Sequence, residues 1–216
     1  MSYWIKYTYL LTLLVLLIAI GLFAGPSDLS PKDIINSLIW SDNQGSSDTI
    51  VWSIRLPRVA VSLVTGACLG LAGVLIQLST RSTFGDPNLF GIGGGATIFI
   101  GAAMAGVMAI GPLGIFSGSI AASTIVALLL SKLVSSKDLS PIKLAIIGIA
   151  IGALTVSVGT SVISHGRVFP TQVIGLLAGS FTASTWEIFW YSLVTLATCF
   201  VVAIKMSKKF SVTNIL

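Results

Sequence analysis

The chain has 216 residues, of which 55% are hydrophobic and only 9% are charged, and its mean hydropathy is +1.00. A soluble domain carries about 25% charged residues, so this chain has too few charges to cover a water-exposed surface. Lipid must therefore solvate much of it. The net charge of +5 comes from cations in short segments between apolar runs. That distribution indicates that the net positive charge reflects membrane topology and not nucleic-acid binding.

Charged residues divide most of the chain into five uncharged stretches, at residues 7–27, 59–80, 87–131, 144–165 and 188–204. A membrane helix needs about 20 apolar residues, and the third stretch is too long for one crossing. It is interrupted by Gly111-Pro112, where a turn would give two spans. The sequence therefore predicts an all-α membrane bundle of six spans. The first span is expected to be retained, because its apolar core exceeds the roughly 7–15 residues of a cleaved signal.

The basic residues orient these spans. With the N-terminus in the cytoplasm, eight basic residues fall in inner segments and four in outer ones, as the positive-inside rule requires. The inner set is Lys6, Arg81, Lys132, Lys137, Lys143, Lys205, Lys208 and Lys209, and the outer set is Lys32, Arg55, Arg58 and Arg167. Both termini are thus predicted to be cytoplasmic.

Two further stretches predict short helices at the outer face. Ser30-Pro31-Lys32-Asp33 has the form of a capping box, and apolar residues follow it at helical spacing, which predicts an amphipathic helix. Residues 168–186 are uncharged but contain proline and several polar side chains. We expect them to form a short helix that lies on the outer face or dips into it.

Glycine pairs four residues apart predict where helices approach closely, since small residues supply much of the contact between membrane helices. The pairs are Gly66 and Gly70, Gly114 and Gly118, and Gly148 and Gly152. The run Gly91–Gly95 lacks the preceding strand and the lysine of a phosphate-binding loop. We interpret that run as a site of close helix packing or as a bend at a helix start.

Residues for catalysis or metal binding are scarce. The sequence has no acid/base pair within a span and no zinc-ligand spacing, and its two cysteines, Cys68 and Cys199, each lie inside an apolar run. No catalytic residue, metal or cofactor is therefore predicted. His165, paired with a membrane serine such as Ser117, leaves an intramembrane hydrolase open as an alternative. However, His165 is predicted at the water-facing end of its span.

Arg55-Leu56-Pro57-Arg58 is the notable polar cluster, and it lies at the predicted outer entrance of the second span. Two interpretations are open from the residues alone. The arginines either extend along the apolar surface to reach lipid headgroups, or they form a docking patch for an acidic partner.

Several segments resemble the permeases of the iron–siderophore, haem and cobalamin ABC-importer family. Residues 52–77 carry an RLPR followed by a Gly/Ala-rich span that ends in glutamine, and residues 81–96 are similar to the family's "RNPLADPxLLGxxxGA". Residues 179–186 are similar to its "GSxxxxxW", and residues 214–216 to its "LNLL". Ser82 and Thr83 replace the family's Asn-Pro, and Leu176 stands where a tryptophan is usual, so the subfamily stays open.

The resemblance implies a function and a set of partners. The chain would be a permease subunit in the inner or plasma membrane of a bacterium. It would pair with a second permease, be powered by two cytoplasmic ATPases and receive substrate from an external binding protein. Arginines at the positions of Arg55 and Arg58 form salt bridges with glutamates of that binding protein in such importers. The second and fifth spans and the short outer helix near residues 173–180 would line the pathway. Enzymatic activity is not expected of this subunit.

The length of the chain is the main departure from this family. In members of this family, the cytoplasmic segment that binds the ATPase follows the sixth span. This chain stops at Leu216, where that segment would begin. We therefore expect a single transmembrane permease domain over residues 1–216, truncated before the ATPase-coupling segment. An ion-coupled secondary transporter and a non-transporting membrane fragment remain the alternatives.

Overall fold

The computed structural model describes residues 3–25, 27, 29–40, 45–80, 91–106, 108, 110–135, 141–165 and 178–213. The regular structure within these residues is helical. The helices are α1 (Tyr3–Phe23), α2 (Pro31–Ile39), α3 (Ser46–Ile50), α4 (Leu56–Thr80), α5 (Ile92–Met104), α6 (Pro112–Ser135), α7 (Pro141–His165) and α8 (Trp186–Thr213). A π-helical turn over Val51–Arg55 joins α3 to α4 without a break.

Five helical stretches of the described chain are long and apolar enough to cross a membrane. They are Trp4–Phe23, Ser46–Leu78, Pro112–Lys132, Ile146–Ser164 and Trp186–Lys205. Large apolar side chains cover their surfaces, as on α1, where Leu10 is 59% and Leu11 is 66% exposed. Such surfaces need lipid around them. The prediction of an all-α, multi-pass membrane bundle is confirmed.

The third predicted span, which precedes Gly111-Pro112, is shorter than expected. α5 has 13 residues and ends at Met104, and Gly106 follows with a positive φ of 76°. The break predicted at Gly111-Pro112 is confirmed, because α6 begins at Pro112. Proline suits the first position of a helix, where its missing N–H would have no intrahelical partner.

The predicted amphipathic helix is also confirmed as α2. Pro31 is its first residue, and the backbone N–H of Ser30 donates to Oδ2 of Asp33 at 3.2 Å. One face of α2 is buried through Ile34, whereas Ile39 on another face is 68% exposed. The capping contact sets where the helix begins, and the buried isoleucine anchors it.

The described chain groups into two compact units. The first comprises residues 1–65 and 181–192, and the second comprises residues 66–180 and 193–216. In the first unit, α2, α3 and the π-helical turn pack around Ile34, Val51 and Pro57, which are all less than 2% exposed. This core is small, and α1, α2 and α3 lie wholly within the unit.

In the second unit, α5 packs against both α6 and α7. A Cβ added to Gly95 of α5 would lie 2.7 Å from the carbonyl oxygen of Ala122 on α6. A Cβ added to Gly101 would lie 2.7 Å from Cγ1 of Ile163 on α7 and 3.1 Å from the carbonyl oxygen of Gly159. The absence of side chains at these positions therefore lets three helix backbones meet.

Glycine also sets the start of α5. Gly91 precedes the helix with a positive φ of 66°, a conformation that glycine adopts without a steric penalty. The interpretation of Gly91–Gly95 as a helix-start bend with close packing is thus confirmed. Cys68 and Cys199 are free thiols, the first half-buried and the second exposed.

Some predictions fall outside the described residues. They concern the segment at residues 81–90, most of the short helix expected within residues 168–186, and the end of the chain at residues 214–216. The single, truncated domain over residues 1–216 stays a prediction.

Candidate functional site

Arg55 lies at the end of the π-helical turn, and its side chain is 5% exposed. Its Nη1 donates to the carbonyl oxygens of Leu22 at 2.6 Å and Phe23 at 3.3 Å. Its Nη2 donates to Oγ of Ser27 at 2.6 Å and to the carbonyl oxygen of Ser27 at 3.3 Å. Both terminal nitrogens of the guanidinium are therefore engaged by α1 and the segment that follows it.

The chemistry of a helix end explains this contact. The last four carbonyl groups of an α-helix lack intrahelical partners, and they carry the negative end of the helix dipole. Leu22 and Phe23 are the last two residues of α1. The planar, permanently charged guanidinium of Arg55 satisfies their carbonyls from a different helical segment. The side chain of Arg55 thus caps the C-terminal end of α1 from a different helical segment of the same chain.

Two glycines make room for this cap. A Cβ added to Gly21 would lie 3.2 Å from Cγ2 of Val59, and one added to Gly25 would lie 2.9 Å from Nη2 of Arg55. Gly21 and Gly25 are four residues apart, as are Arg55 and Val59. The two pairs face each other, so that the end of α1 closes on the π-helical turn and the first turn of α4.

Two tryptophans add further bonds between side chains and backbone in the same unit. Nε1 of Trp52 donates to the carbonyl oxygen of Ser37 on α2 at 2.9 Å. Nε1 of Trp186, the first residue of α8, donates to the carbonyl oxygen of Trp52 at 2.9 Å. Trp186 also meets Phe189 edge to face, with ring centroids 5.6 Å apart. Indole N–H groups and one guanidinium therefore connect the ends of α1, α2 and α8 to the π-helical turn.

Arg58 occupies a different environment from Arg55. It lies in the first turn of α4 and is half-buried. Its Nε is buried and has no hydrogen-bond partner within the part of the chain that the structure describes. The two arginines that the sequence groups as one docking patch therefore differ in the hydrogen bonding of their guanidinium nitrogens.

The glycines predicted as packing sites also differ. Gly148 and Gly152 of α7 lie against the start of α5, where a Cβ on Gly91 would be 2.5 Å from the backbone of Gly152. In contrast, a Cβ on Gly66 or Gly70 of α4 would meet no described atom within 4 Å. Packing at Gly66 and Gly70 stays a prediction.

Gly70 borders an apolar groove of about 550 Å³ within the second unit. The groove is lined by α4 and α8, through Ala67, Gly70, Leu71, Val74, Leu193, Leu196, Ala197 and Phe200. These side chains offer no charged or hydrogen-bonding group that could orient a polar ligand. The groove has the chemistry of a surface for lipid chains or for another helix.

A metal site finds no support in the described residues. They contain no cluster of three or more His, Cys, Asp or Glu side chains that could hold a metal ion. The side chain of His165, at the end of α7, lies outside what the structure describes. The described site is one of helix ends, cations and interfacial aromatics.

Sequence reasoning located Arg55 but missed its partners Gly21, Gly25 and Ser27. The available signal was the glycine pair four residues apart at the end of an apolar stretch, followed by a serine. Trp52 and Trp186 were identified through the family motifs alone, and their indole donors were not predicted. A pattern within one segment cannot show which helix end lies opposite it.

Comparison with known proteins places the chain among membrane transport proteins. It is 27% identical over 210 residues to the Fe(3+)-citrate import system permease protein YfmD of Bacillus subtilis, an alignment that covers 94% of this chain and 60% of the relative. It is 38% identical over 155 residues to the ferric enterobactin transport system permease protein FepD of Escherichia coli, covering 67% of this chain and 44% of the relative.

A solved structure has the same fold. It is described as an inward-facing conformation of an ABC transporter of the metal-chelate type, and it matches with a TM-score of 0.68 at 23% identity. The match covers 95% of this chain and 62% of the other. The chain thus spans about 60% of the length of the curated relative that it matches over 210 residues.

A family model also matches the chain. It spans residues 13–215, which include every described helix except the first ten residues of α1. The segments that carry the motifs noted above, from the arginine pair to the start of α8, all lie inside it. The chain therefore belongs to the FecCD transport family.

Proposed function

We propose that this chain is a membrane-spanning permease subunit of a binding-protein-dependent ABC importer for iron(III)-siderophore, haem or cobalamin-type substrates. The observation that carries the proposal is the family match over residues 13–215. The relatives named for ferric citrate and ferric enterobactin support chelated iron as the first substrate to test. An apolar bundle without a metal cluster in its described part is compatible with a substrate that stays wrapped in its chelator.

The proposed partners are a second permease subunit, cytoplasmic ATPase subunits and an external substrate-binding protein, all within surrounding lipid. ATP hydrolysis belongs to the ATPase partner and not to this chain. The surface proposed to meet acidic groups of the binding protein is the segment of residues 55–58, which carries Arg55 and Arg58. The proposed orientation has both termini in the cytoplasm, which puts this surface on the outer side.

Co-purification with the substrate-binding protein of the same organism tests the assignment. The tagged chain in lipid nanodiscs should retain this protein. Arg58→Glu should weaken the retention, because a glutamate at this position repels the acidic groups of the partner. Lys205→Glu is the matched control, since it makes the same change of charge at the predicted cytoplasmic end of α8. If an Arg55→Glu/Arg58→Glu double variant binds as well as the unmodified chain, the docking surface is wrong.

Transport by the reconstituted partners tests the mechanism. Uptake of a radiolabelled iron(III)-siderophore into vesicles should require ATP and the ATPase subunit, in addition to this chain and its permease partner. Uptake driven by an ion gradient without the ATPase would identify a secondary transporter. A complete lack of uptake with every partner present would indicate a non-transporting fragment.

Cysteine labelling tests the orientation. Cys68 and Cys199 are free thiols, so both are first replaced by serine. A membrane-impermeant maleimide should then label Lys32→Cys in intact spheroplasts, whereas Lys205→Cys should react only after permeabilisation. Labelling of Lys205→Cys from outside would reverse the proposed topology and remove Arg58 from the binding-protein side.

A further inference from the structure

We propose that the two arginines of residues 55–58 have separate roles. Arg55 is a buried interhelical cap that fixes the C-terminal end of α1 against the π-helical turn before α4. Arg58 alone provides the charge that an acidic partner meets. The role of Arg55 follows from the described contacts, and only the role of Arg58 rests on the proposed function.

The hydrogen bonds of Arg55 carry the first part of the inference. Two bonds of 2.6 Å, to the carbonyl oxygen of Leu22 and to Oγ of Ser27, hold the two terminal nitrogens separately. Two longer bonds of 3.3 Å reach the carbonyl oxygens of Phe23 and Ser27. A guanidinium has five N–H donors in a fixed plane, and four acceptor contacts use most of them. Few donors are left for a carboxylate of another protein.

Release of Arg55 would also expose the end of α1. Two carbonyl groups of its last turn would lose their charged donor, and a buried polar group without a partner is costly. The side chain would have to leave a site in which it is 5% exposed. A partner carboxylate must therefore compete with an intact set of bonds to reach Arg55. The half-buried Arg58 is not held in this way, since its Nε has no partner in the described chain.

The glycines show that the surrounding chain is built around this position. Gly25 leaves room for the guanidinium itself, with 2.9 Å between its ideal Cβ position and Nη2 of Arg55. Gly21 leaves room for Val59 one helical turn further along. A charge intended for an external partner needs no such matched recess in a neighbouring segment. The recess favours a structural cap.

Arginine-selective modification of the full chain in nanodiscs tests this division. Phenylglyoxal reacts with accessible guanidinium groups, and mass spectrometry of the peptides quantifies each site. Arg55 should react at least about tenfold more slowly than Arg58, because its guanidinium must leave its hydrogen bonds before it can react. A tenfold difference in rate corresponds to about 1.4 kcal/mol of local opening. Equal rates at the two arginines would overturn the proposal.

A serine pair supplies the matched variants. Ser27→Ala removes an acceptor of Arg55 and should raise the rate of modification at Arg55 but not at Arg58. Ser62→Ala is the control, because its hydroxyl donates within its own helix, to the carbonyl oxygen of Val59 at 2.8 Å. If Ser27→Ala leaves the rate at Arg55 unchanged, the cap is wrong.

Binding measurements distinguish an arginine whose charge meets the partner from one that stabilises the fold. At increasing ionic strength, exposed interfacial charges lose their contribution to association. Arg58→Gln should therefore lower the association rate with the binding protein and flatten its salt dependence. Arg55→Gln should leave the salt dependence unchanged while lowering the thermal midpoint of the chain, and Arg55→Lys, which keeps only the charge, should not restore that midpoint.

The outcomes distinguish this inference from the proposed function. If the unmodified chain retains no binding protein, the proposed function fails, although the protection of Arg55 can still be measured. If the binding protein is retained but Arg55 is modified as fast as Arg58, the division of roles fails and the function stands.

Discussion

Within each of the two units of the described chain, the helices are joined by a different kind of contact. In the first, Arg55 and Trp52 donate to backbone carbonyls in the last turns of α1 and α2, and Trp186 donates to the carbonyl oxygen of Trp52 in the π-helical turn. In the second, α5 meets its neighbours through glycine, with backbone against backbone at Gly95 and Gly101. One unit depends on directed polar bonds, and the other depends on the absence of side chains.

This difference follows from where each contact lies along its helices. Mid-helix backbone groups already bond within the helix, so neighbouring helices gain contact only by close approach. Helix ends have unsatisfied carbonyls, and in lipid these need a donor from elsewhere in the chain. The first unit should therefore be sensitive to loss of donors, and the second to added volume.

The largest expected effect is from added volume in the second unit. Gly95→Leu would place a side chain against the backbone of Ala122 and Ser123, which no rotamer can avoid. We expect a destabilisation of about 3 kcal/mol or more, at the upper end of overpacking effects. Thermal unfolding of the purified chain in detergent, followed by tryptophan fluorescence, measures it.

Gly70→Leu is the matched control for this prediction, because a Cβ at Gly70 meets no described atom within 4 Å. Its effect on the isolated chain should stay within about 0.5 kcal/mol, as for other exposed positions. A loss as large as that of Gly95→Leu would show that Gly70 packs against something in the purified protein.

The next largest effect is the loss of a donor in the first unit. Arg55→Gln removes the charged bonds to the end of α1 and should destabilise the chain by about 2–3 kcal/mol, the range for hydrogen bonds to charged groups. Arg58→Gln should cost less than half as much in the same thermal assay. Equal losses would mean that the two arginines are structurally equivalent.

A smaller effect is expected where added volume meets a flexible side chain. Gly25→Ala brings a methyl group to 2.9 Å from Nη2 of Arg55, and the far end of that side chain can shift. We expect a cost of about 1 kcal/mol, at the lower end of overpacking. Gly66→Ala, which meets no described atom, is the control. The Arg55→Gln background should reduce the cost of Gly25→Ala, and additive costs would contradict the contact.

The smallest effect tests a single neutral donor. Trp186→Phe keeps an aromatic ring beside Phe189 but removes the indole bond of 2.9 Å to the carbonyl oxygen of Trp52. The expected cost is about 0.5–1.5 kcal/mol. Trp190→Phe, at a side chain that is 59% exposed, should cost less. The reverse order would remove Trp186 from the set of interhelical donors.

Much of the fold was predictable from local patterns. Uncharged stretches of sufficient length located the long membrane helices, the Gly111-Pro112 break was correct, and the capping residues before α2 were recognised. α5 was expected to be longer, because its apolar composition continues beyond the helix. Composition reports the solvent around a segment, but helix length also depends on where the backbone turns.

The amino-acid sequence by itself determined that this is a membrane protein, where α2 and α6 begin, and which family motifs it carries. Each of these properties is written in consecutive residues. Only the tertiary structure decided that Arg55 caps α1 and that Gly148 and Gly152 meet another helix whereas Gly66 and Gly70 meet none that is described. The physical reason is that both decisions depend on which segment lies opposite, and helical periodicity fixes the face of a residue without naming its neighbour.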